Sequence, residues 1–179
     1  FGQVNLKSSL AYAMVLQEML RHTDLLTMSA FTTGASTMDI TPTNATLNAT
    51  GLVFKFYGEH FGAGVSPLAV GGESPQPAPR YPVGYAHPQV RAGSPTYPLD
   101  VIAGLAPDGK SVRIGVVNAT FAPQTLALDL KALAIAGAGR KWVLSGASLA
   151  AENKVGKPAG VTIKESKAAA PRGGLAVPA

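Results

Sequence analysis

Along residues 5–22, NLKSSLAYAMVLQEMLRH, apolar residues recur at steps of three and four: Leu6, Leu10, Ala13, Leu16 and Leu20. That spacing lays them on one face and predicts a helix. No Gly or Pro interrupts it, Ser8 and Ser9 weaken only its first turn, and Arg21-His22 suit the negative end of its dipole. The pattern then changes. LLTMSAF, residues 25–31, is short and almost wholly apolar, as a strand buried on both faces would be. Residues 32–50 are rich in Thr, Ser, Asn and Gly, contain Pro42, and read as a loop. GLVFKFYGEHF, about 51–61, returns to the helical period through Leu52, Phe56 and Tyr57, with Gly62 as its stop.

Helix, buried strand, loop and helix is the alternation of an α/β barrel or a parallel sheet. A lone parallel strand cannot pair with itself, so residues 1–62 are expected to be the end of a larger domain. From 63 to 98 the chain becomes a Pro/Gly-rich connector, with prolines at 67, 75, 77, 79, 82, 88, 95 and 98. Beyond it the period becomes two. YPLDVIAGL, SVRIGVVNA, TLALDLKAL, KWVLSGA and GVTIKE are strand candidates, with Asp108-Gly109 as a hairpin signal between the first two. Short antiparallel strands at this spacing predict a β-sandwich over residues 99–179, with a last strand beginning at GLAVPA.

Composition narrows the function classes. At 46% hydrophobic and 14% charged, the 179 residues can build a core. No apolar run approaches the roughly 18 residues that span a bilayer, so no membrane association is expected. Residues 1–15 lack the pattern of a signal peptide, and the chain opens at Phe1 in mid-pattern, as a piece of something longer would. Cys is absent, which removes disulfides and thiolate chemistry. The net charge of +5 is scattered without basic runs, which argues against a nucleic-acid partner.

Candidate chemistry is sparse. His22 and Asp24 stand where a helix feeds the N-terminal end of the next strand, whereas α/β active sites form at strand C-termini. They are expected to be cap and loop residues. The informative stretch is Phe31-Thr32-Thr33-Gly34-Ala35-Ser36 and the loop through Asp39, whose side chains would face a ligand. Of the ten carboxylates only Asp39 falls there, and glycoside hydrolysis needs two. Glu59-His60 are expected on the solvent face of the second helix. No GxSxG elbow or nucleotide-binding glycine motif occurs, and His22, His60 and His87 are too far apart in sequence for a metal pair, so neither cofactor nor metal is expected. Three sequons begin at Asn44, Asn48 and Asn118, which matter only in a eukaryotic secretory context. Trp142 is the single Trp, and strand periodicity makes it a core residue or, facing outward, a sugar platform. Tyr81, Tyr85 and Tyr97 in the connector are a second aromatic candidate.

The segment SLAYAMVLQEMLRHTDLLTMSAF is similar to the helix "DAL–VA–LN–FLRHAD–VKMA" that leads into the last barrel strand of glycoside hydrolase family 51, the α-L-arabinofuranosidases and their relatives. NATGLVFKFYGEHFG resembles that family's last barrel helix, and DVIAGLAPDGKSVRIGVVNAT resembles its "–AV–––DG–L–V–VVNR" hairpin, which opens a C-terminal β-sandwich. The resemblance covers most of the chain in order. It implies the last helix, strand and helix of a (β/α)8 barrel followed by an antiparallel sandwich. It also implies a retaining glycosidase acting on arabinose-containing plant polysaccharide, whose two catalytic glutamates lie upstream of Phe1, so this chain alone would be inactive. Where family members carry a sugar-contacting Gln in a motif like "AQLVN", this sequence reads TTGAS, with Thr33 near the Gln and Ser36 near the Asn. Thr33, Ser36 and Asp39 are therefore the candidate substrate-binding residues. The shorter side chain at 33 keeps a β-glucanase or xylanase relative in play. The expected partners are a polysaccharide or oligosaccharide and the N-terminal barrel portion of the same enzyme, with a homo-oligomer as a further option. A carbohydrate-binding or purely structural sandwich module is the rival class.

Overall fold

The computed structural model describes residues 4–31, 36–72, 80–81, 90–91, 96–118, 120–130, 139–168 and 175–179. The chain forms two compact units, one from Phe1–Ala63 with Asp129–Arg172 and one from Gly64–Leu128 with Gly173–Ala179.

In the first unit, α1 spans Leu6–Arg21. Asn5 caps it, its side chain accepting from the Ser8 N–H at 3.1 Å. Two further N–H groups of the first turn, which a helix cannot satisfy internally, donate to backbone carbonyls: Leu6 to Ala151 at 2.8 Å and Lys7 to Leu149 at 2.9 Å. The face it buries is Leu6, Ser9, Ala13 and Gln17. That differs from the expected all-apolar line, because Leu10, Leu16 and Leu20 are only half-buried. Two polar side chains enter the interior because each has a partner. The Ser9 hydroxyl donates to the Asn5 carbonyl at 2.8 Å, and the Gln17 amide donates to the Tyr57 hydroxyl at 2.7 Å.

The expected buried strand at 25–31 is not formed. The chain leaves α1 through a turn in which the Leu25 and Leu26 N–H groups donate to the His22 carbonyl, and it then runs without strand pairing. Leu25, Leu26 and Met28 are 77%, 45% and 88% exposed. The physical reason is that a parallel strand draws its hydrogen bonds from neighbours on both sides, and the described residues supply none. Phe31 alone is anchored, its ring 5.2 Å from that of Tyr12 and 4.5 Å from that of Phe54.

The stretch read as a loop contains a small hairpin, β1 (Met38–Ile40) with β2 (Ala45–Leu47), paired Met38↔Leu47 through Ile40↔Ala45. Its strands, Met-Asp-Ile and Ala-Thr-Leu, do alternate, but three residues each is too short a run for the period to stand out from the surrounding loop composition. Then α2 runs Ala49–Phe61, with Asn48 as its N-cap and Gly62 at its end. It starts slightly earlier than expected because the Asn48 carboxamide accepts the Gly51 N–H at 2.9 Å.

Two long strands complete this unit: β9 (Gly139–Gly146) and β10 (Val161–Ala168), antiparallel with Trp142 opposite Glu165 and Leu144 opposite Ile163. Leu6, Ala49 and Val161 form a buried cluster, against which Leu10, Leu52, Leu144 and Ala151 pack. Both helices and the β9–β10 pair thus share one core. Thr50 is fully buried, and its hydroxyl has no hydrogen-bond partner among the described residues. Thr50→Val is therefore expected to stabilise the protein by about 1 kcal/mol, because it removes an unmet desolvation cost at little change in shape. A raised urea midpoint would show it.

In the second unit, β3 (Ser66–Leu68), β6 (Leu99–Leu105) and β7 (Val112–Asn118) form an antiparallel sheet in the order β3-β6-β7. Leu99, Val101, Ile102 and Val117 are its buried apolar residues. The expected turn joins β6 to β7: Gly109 has φ 67°, a left-handed conformation that glycine adopts freely, and Asp108 accepts the Lys110 N–H at 2.9 Å. Two small pairings accompany it, β4 (Arg80–Tyr81) with β5 (Val90–Arg91) and β8 (Gln124–Leu126) with β11 (Leu175–Val177). No helix is long and apolar enough to cross a membrane among the described residues.

Candidate functional site

The loop that would face a ligand is built on the β1–β2 hairpin. Ser36 lies at its entry, exposed, with its hydroxyl donating to the Met38 carbonyl at 2.6 Å and accepting the Met38 N–H at 3.0 Å. Its own carbonyl accepts from the Asn48 amide at 2.7 Å. Asp39 is half-buried on β1, and its carboxylate accepts the Val155 N–H at 2.8 Å. The structure thus brings Ser36 and Asp39 onto one short hairpin, with both side chains engaged by backbone. Thr33 lies outside the described residues.

Beside Asp39, the turn after β9 carries its own charges. Lys154 donates to Glu152 at 2.6 Å, and that hydrogen bond leads the causes that hold its ammonium above the ordinary lysine range, with the Asp39 charge a smaller contribution. Asp39 therefore ties the hairpin to the 152–157 turn. Among the described residues no group of three His, Cys, Asp or Glu is placed to hold a metal.

A second polar-aromatic cluster was only partly legible. Trp142 is half-buried, intermediate between core residue and open platform. The His60 ring stands 4.5 Å from its indole at 42°, and the Arg140 guanidinium carbon lies 5.0 Å from the indole centroid. Arg140 reaches Glu165 at 3.4 Å, and Phe56 meets His60 edge-on at 4.9 Å. His60 is thus not on a solvent face. The signal that could have placed it is its spacing of four from Phe56, which puts both rings on one side of α2. Glu59, beside it, is exposed and 3.8 Å from Lys55.

The other candidates behave as local structure. His22 and Asp24 are exposed at the end of α1, where Glu18 lies 3.2 Å from His22 and 2.8 Å from Arg21. Chiefly through the Arg21 hydrogen bond, the Glu18 carboxyl is held below the usual range. Tyr97 is half-buried in the second unit, the side chain of Tyr81 is not described, and Tyr85 and His87 lie outside the described residues.

One buried titratable group responds to pH. Burial pushes the Tyr57 phenol up to about 12, against the downward pull of the Gln17 hydrogen bond and the Arg21 charge. The unfolded phenol ionises near about 10, so the fold holds the neutral form more tightly. That contribution is complete below about pH 10 and is lost as pH rises toward about 12. It amounts to about 2–3 kcal/mol at 1.36 kcal/mol per pKa unit. Tyr57→Phe is expected to flatten the fall in urea midpoint over this alkaline window. An unchanged fall would mean that other groups carry it.

Comparisons with known proteins add no relative: no family model, no curated protein and no solved structure matches the chain.

Proposed function

We propose that this chain is the C-terminal part of a retaining glycoside hydrolase acting on plant cell-wall polysaccharide, an α-L-arabinofuranosidase of family 51. In this reading α1, residues 25–31 and α2 are the last helix, strand and helix of a (β/α)8 barrel, and the loop through Ser36 and Asp39 borders the substrate cleft. The catalytic glutamates belong to the upstream barrel strands, and the chain alone is inactive.

The observation that carries this reading is the apolar run after α1. Leu25, Leu26 and Met28 are exposed, while Phe31 at the end of the run is gripped between rings from the two helices. A barrel strand has this requirement: its outward side chains rest on the helices flanking it, and its backbone and inward side chains are covered only by neighbouring strands. The run also lies inside the segment that resembles the family.

The test is to isolate the native polypeptide containing this sequence, measure its intact mass under denaturing conditions, and assay it beside the 179-residue chain on a chromogenic aryl α-L-arabinofuranoside. The expected result is a polypeptide well above 18.3 kDa that releases arabinose, and a 179-residue chain that does not. Hydrolysis by the short chain, or a native species no longer than it, would overturn the proposal. Thr33, where family members carry Gln, favours the second reading, a β-glucanase or xylanase relative. Release of sugar from β-glucan or xylan but not from the arabinoside would establish that alternative.

A further inference from the structure

The three sequons differ in what the fold leaves available. At Asn48 the side chain is 1% exposed, caps α2 through the Gly51 N–H and donates to the Ser36 carbonyl at 2.7 Å. At Asn118 it is 9% exposed, and its amide nitrogen donates twice, to the Ala122 carbonyl at 2.9 Å and the Pro178 carbonyl at 2.8 Å. A glycosylated carboxamide keeps one N–H, so a sugar at Asn118 must break one of its two donor bonds, and both asparagines, 1% and 9% exposed, would have to leave their packing to carry one.

Asn44 is the opposite case. It closes the turn between β1 and β2, where the backbone carries the geometry: the Thr41 N–H donates to the Asn44 carbonyl at 2.8 Å, and the Asn44 N–H donates to the Thr41 hydroxyl at 3.1 Å. The Asn44 residue is exposed, and its carboxamide makes no hydrogen bond among the described residues. Thr46 supplies the required hydroxyl two residues on, half-buried in β2. A surface turn is where an acceptor asparagine is reachable and a bulky product is tolerated.

We infer that Asn44 is the N-glycan acceptor of the folded chain and that the fold excludes a glycan from Asn48 and Asn118. The donor class is a lipid-pyrophosphate-linked oligosaccharide, delivered by an oligosaccharyltransferase. The Asn44 amide nitrogen forms the bond to the anomeric carbon, the bond from that carbon to the pyrophosphate oxygen breaks, lipid pyrophosphate leaves with the electron pair, and the amide proton passes to the transferase.

The experiment is secretion of the full chain from a yeast host behind a cleavable leader, with peptide mapping of the soluble product before and after N-glycosidase treatment. The expected result is a single glycan at Asn44, converted to Asp on treatment, and a soluble, glycan-free product from Asn44→Gln. Two further variants, Thr50→Val and Thr120→Val, remove the other sequons and should leave the glycan at Asn44 unchanged. A glycan at Asn48 or Asn118 in soluble, folded material would overturn the inference, as would a soluble wild-type product with Asn44 unmodified.

Discussion

Replacing Gly51 by alanine is expected to cost about 3 kcal/mol or more, at or above the upper end of what overpacking usually costs. A methyl group there would run into the carbonyl oxygen of Thr37, and would lie 2.9 Å from the Thr37 carbonyl carbon and 3.0 Å from the Leu47 side chain. The obstacle is backbone, which cannot swing aside. That same Thr37 carbonyl accepts the Asn48 N–H at 3.2 Å, so the entry to the β1–β2 hairpin is seated directly on the first turn of α2. Helix propensity pulls the other way, since alanine is favoured over glycine in a helix by about 1 kcal/mol. Steric conflict wins because relief would require moving the hairpin. Gly58, in the same helix, has nothing within 4 Å of the position its Cβ would take. Gly58→Ala should therefore stabilise by about 0.5–1 kcal/mol. Urea unfolding of the two variants side by side separates propensity from packing. Equal stability of both would mean that the hairpin is not held against α2.

The second large effect is expected at Asn153. Its side chain accepts the Val161 N–H at 2.9 Å and donates to the Val161 carbonyl at 3.0 Å, taking the place of a neighbouring strand at the start of β10. Val161 is fully buried in the cluster with Leu6 and Ala49. Asn153→Ala leaves a buried donor and a buried acceptor without a partner, each costing about 1–3 kcal/mol, and a loss of about 2–4 kcal/mol is expected. Asn153→Asp should also destabilise at neutral pH, because an ionised carboxylate can accept from Val161 but cannot donate to its carbonyl. Part of that loss should return once acid protonates the carboxyl and restores a donor. Chemical denaturation at neutral and acidic pH checks both; an alanine variant within 0.5 kcal/mol of wild type, the scatter of neutral surface changes, would show that the clamp contributes little.

The sequence predicted best where periodicity and packing agree. Both helices and the Asp108-Gly109 hairpin were legible because a 3.6-residue repeat and a left-handed glycine turn are local properties. Which side chains α1 buries was not, since Ser9 enters the interior by bonding back to the Asn5 carbonyl one turn earlier, and Gln17 through Tyr57, a partner on the other helix that no spacing rule pairs with it. The run at 25–31 read as buried because its composition is apolar; burial also needs something to lie against, and only Phe31 has it here. Asp39 was singled out by its place in the chain, and the structure adds what sequence position could not show, its bond to Val155 in a distant turn. Asn5 and Asn48 cap the two helices, and the sequence analysis marked only Asn48, as a sequon.

The first unit is discontinuous along the chain, and this sets an order of events during synthesis. The ribosome delivers α1 and α2 early, yet their core is completed by Leu144, Ala151 and Val161, which emerge only after the whole of residues 64–128. The entropy of closing so long a loop grows only logarithmically with its length, so the cost to final stability is modest. Its effect on rate is larger, because contacts distant in sequence slow folding. A nascent chain therefore carries two helices with an unfilled apolar seam until β10 is made, and that interval is when chaperone capture or aggregation competes most strongly with folding.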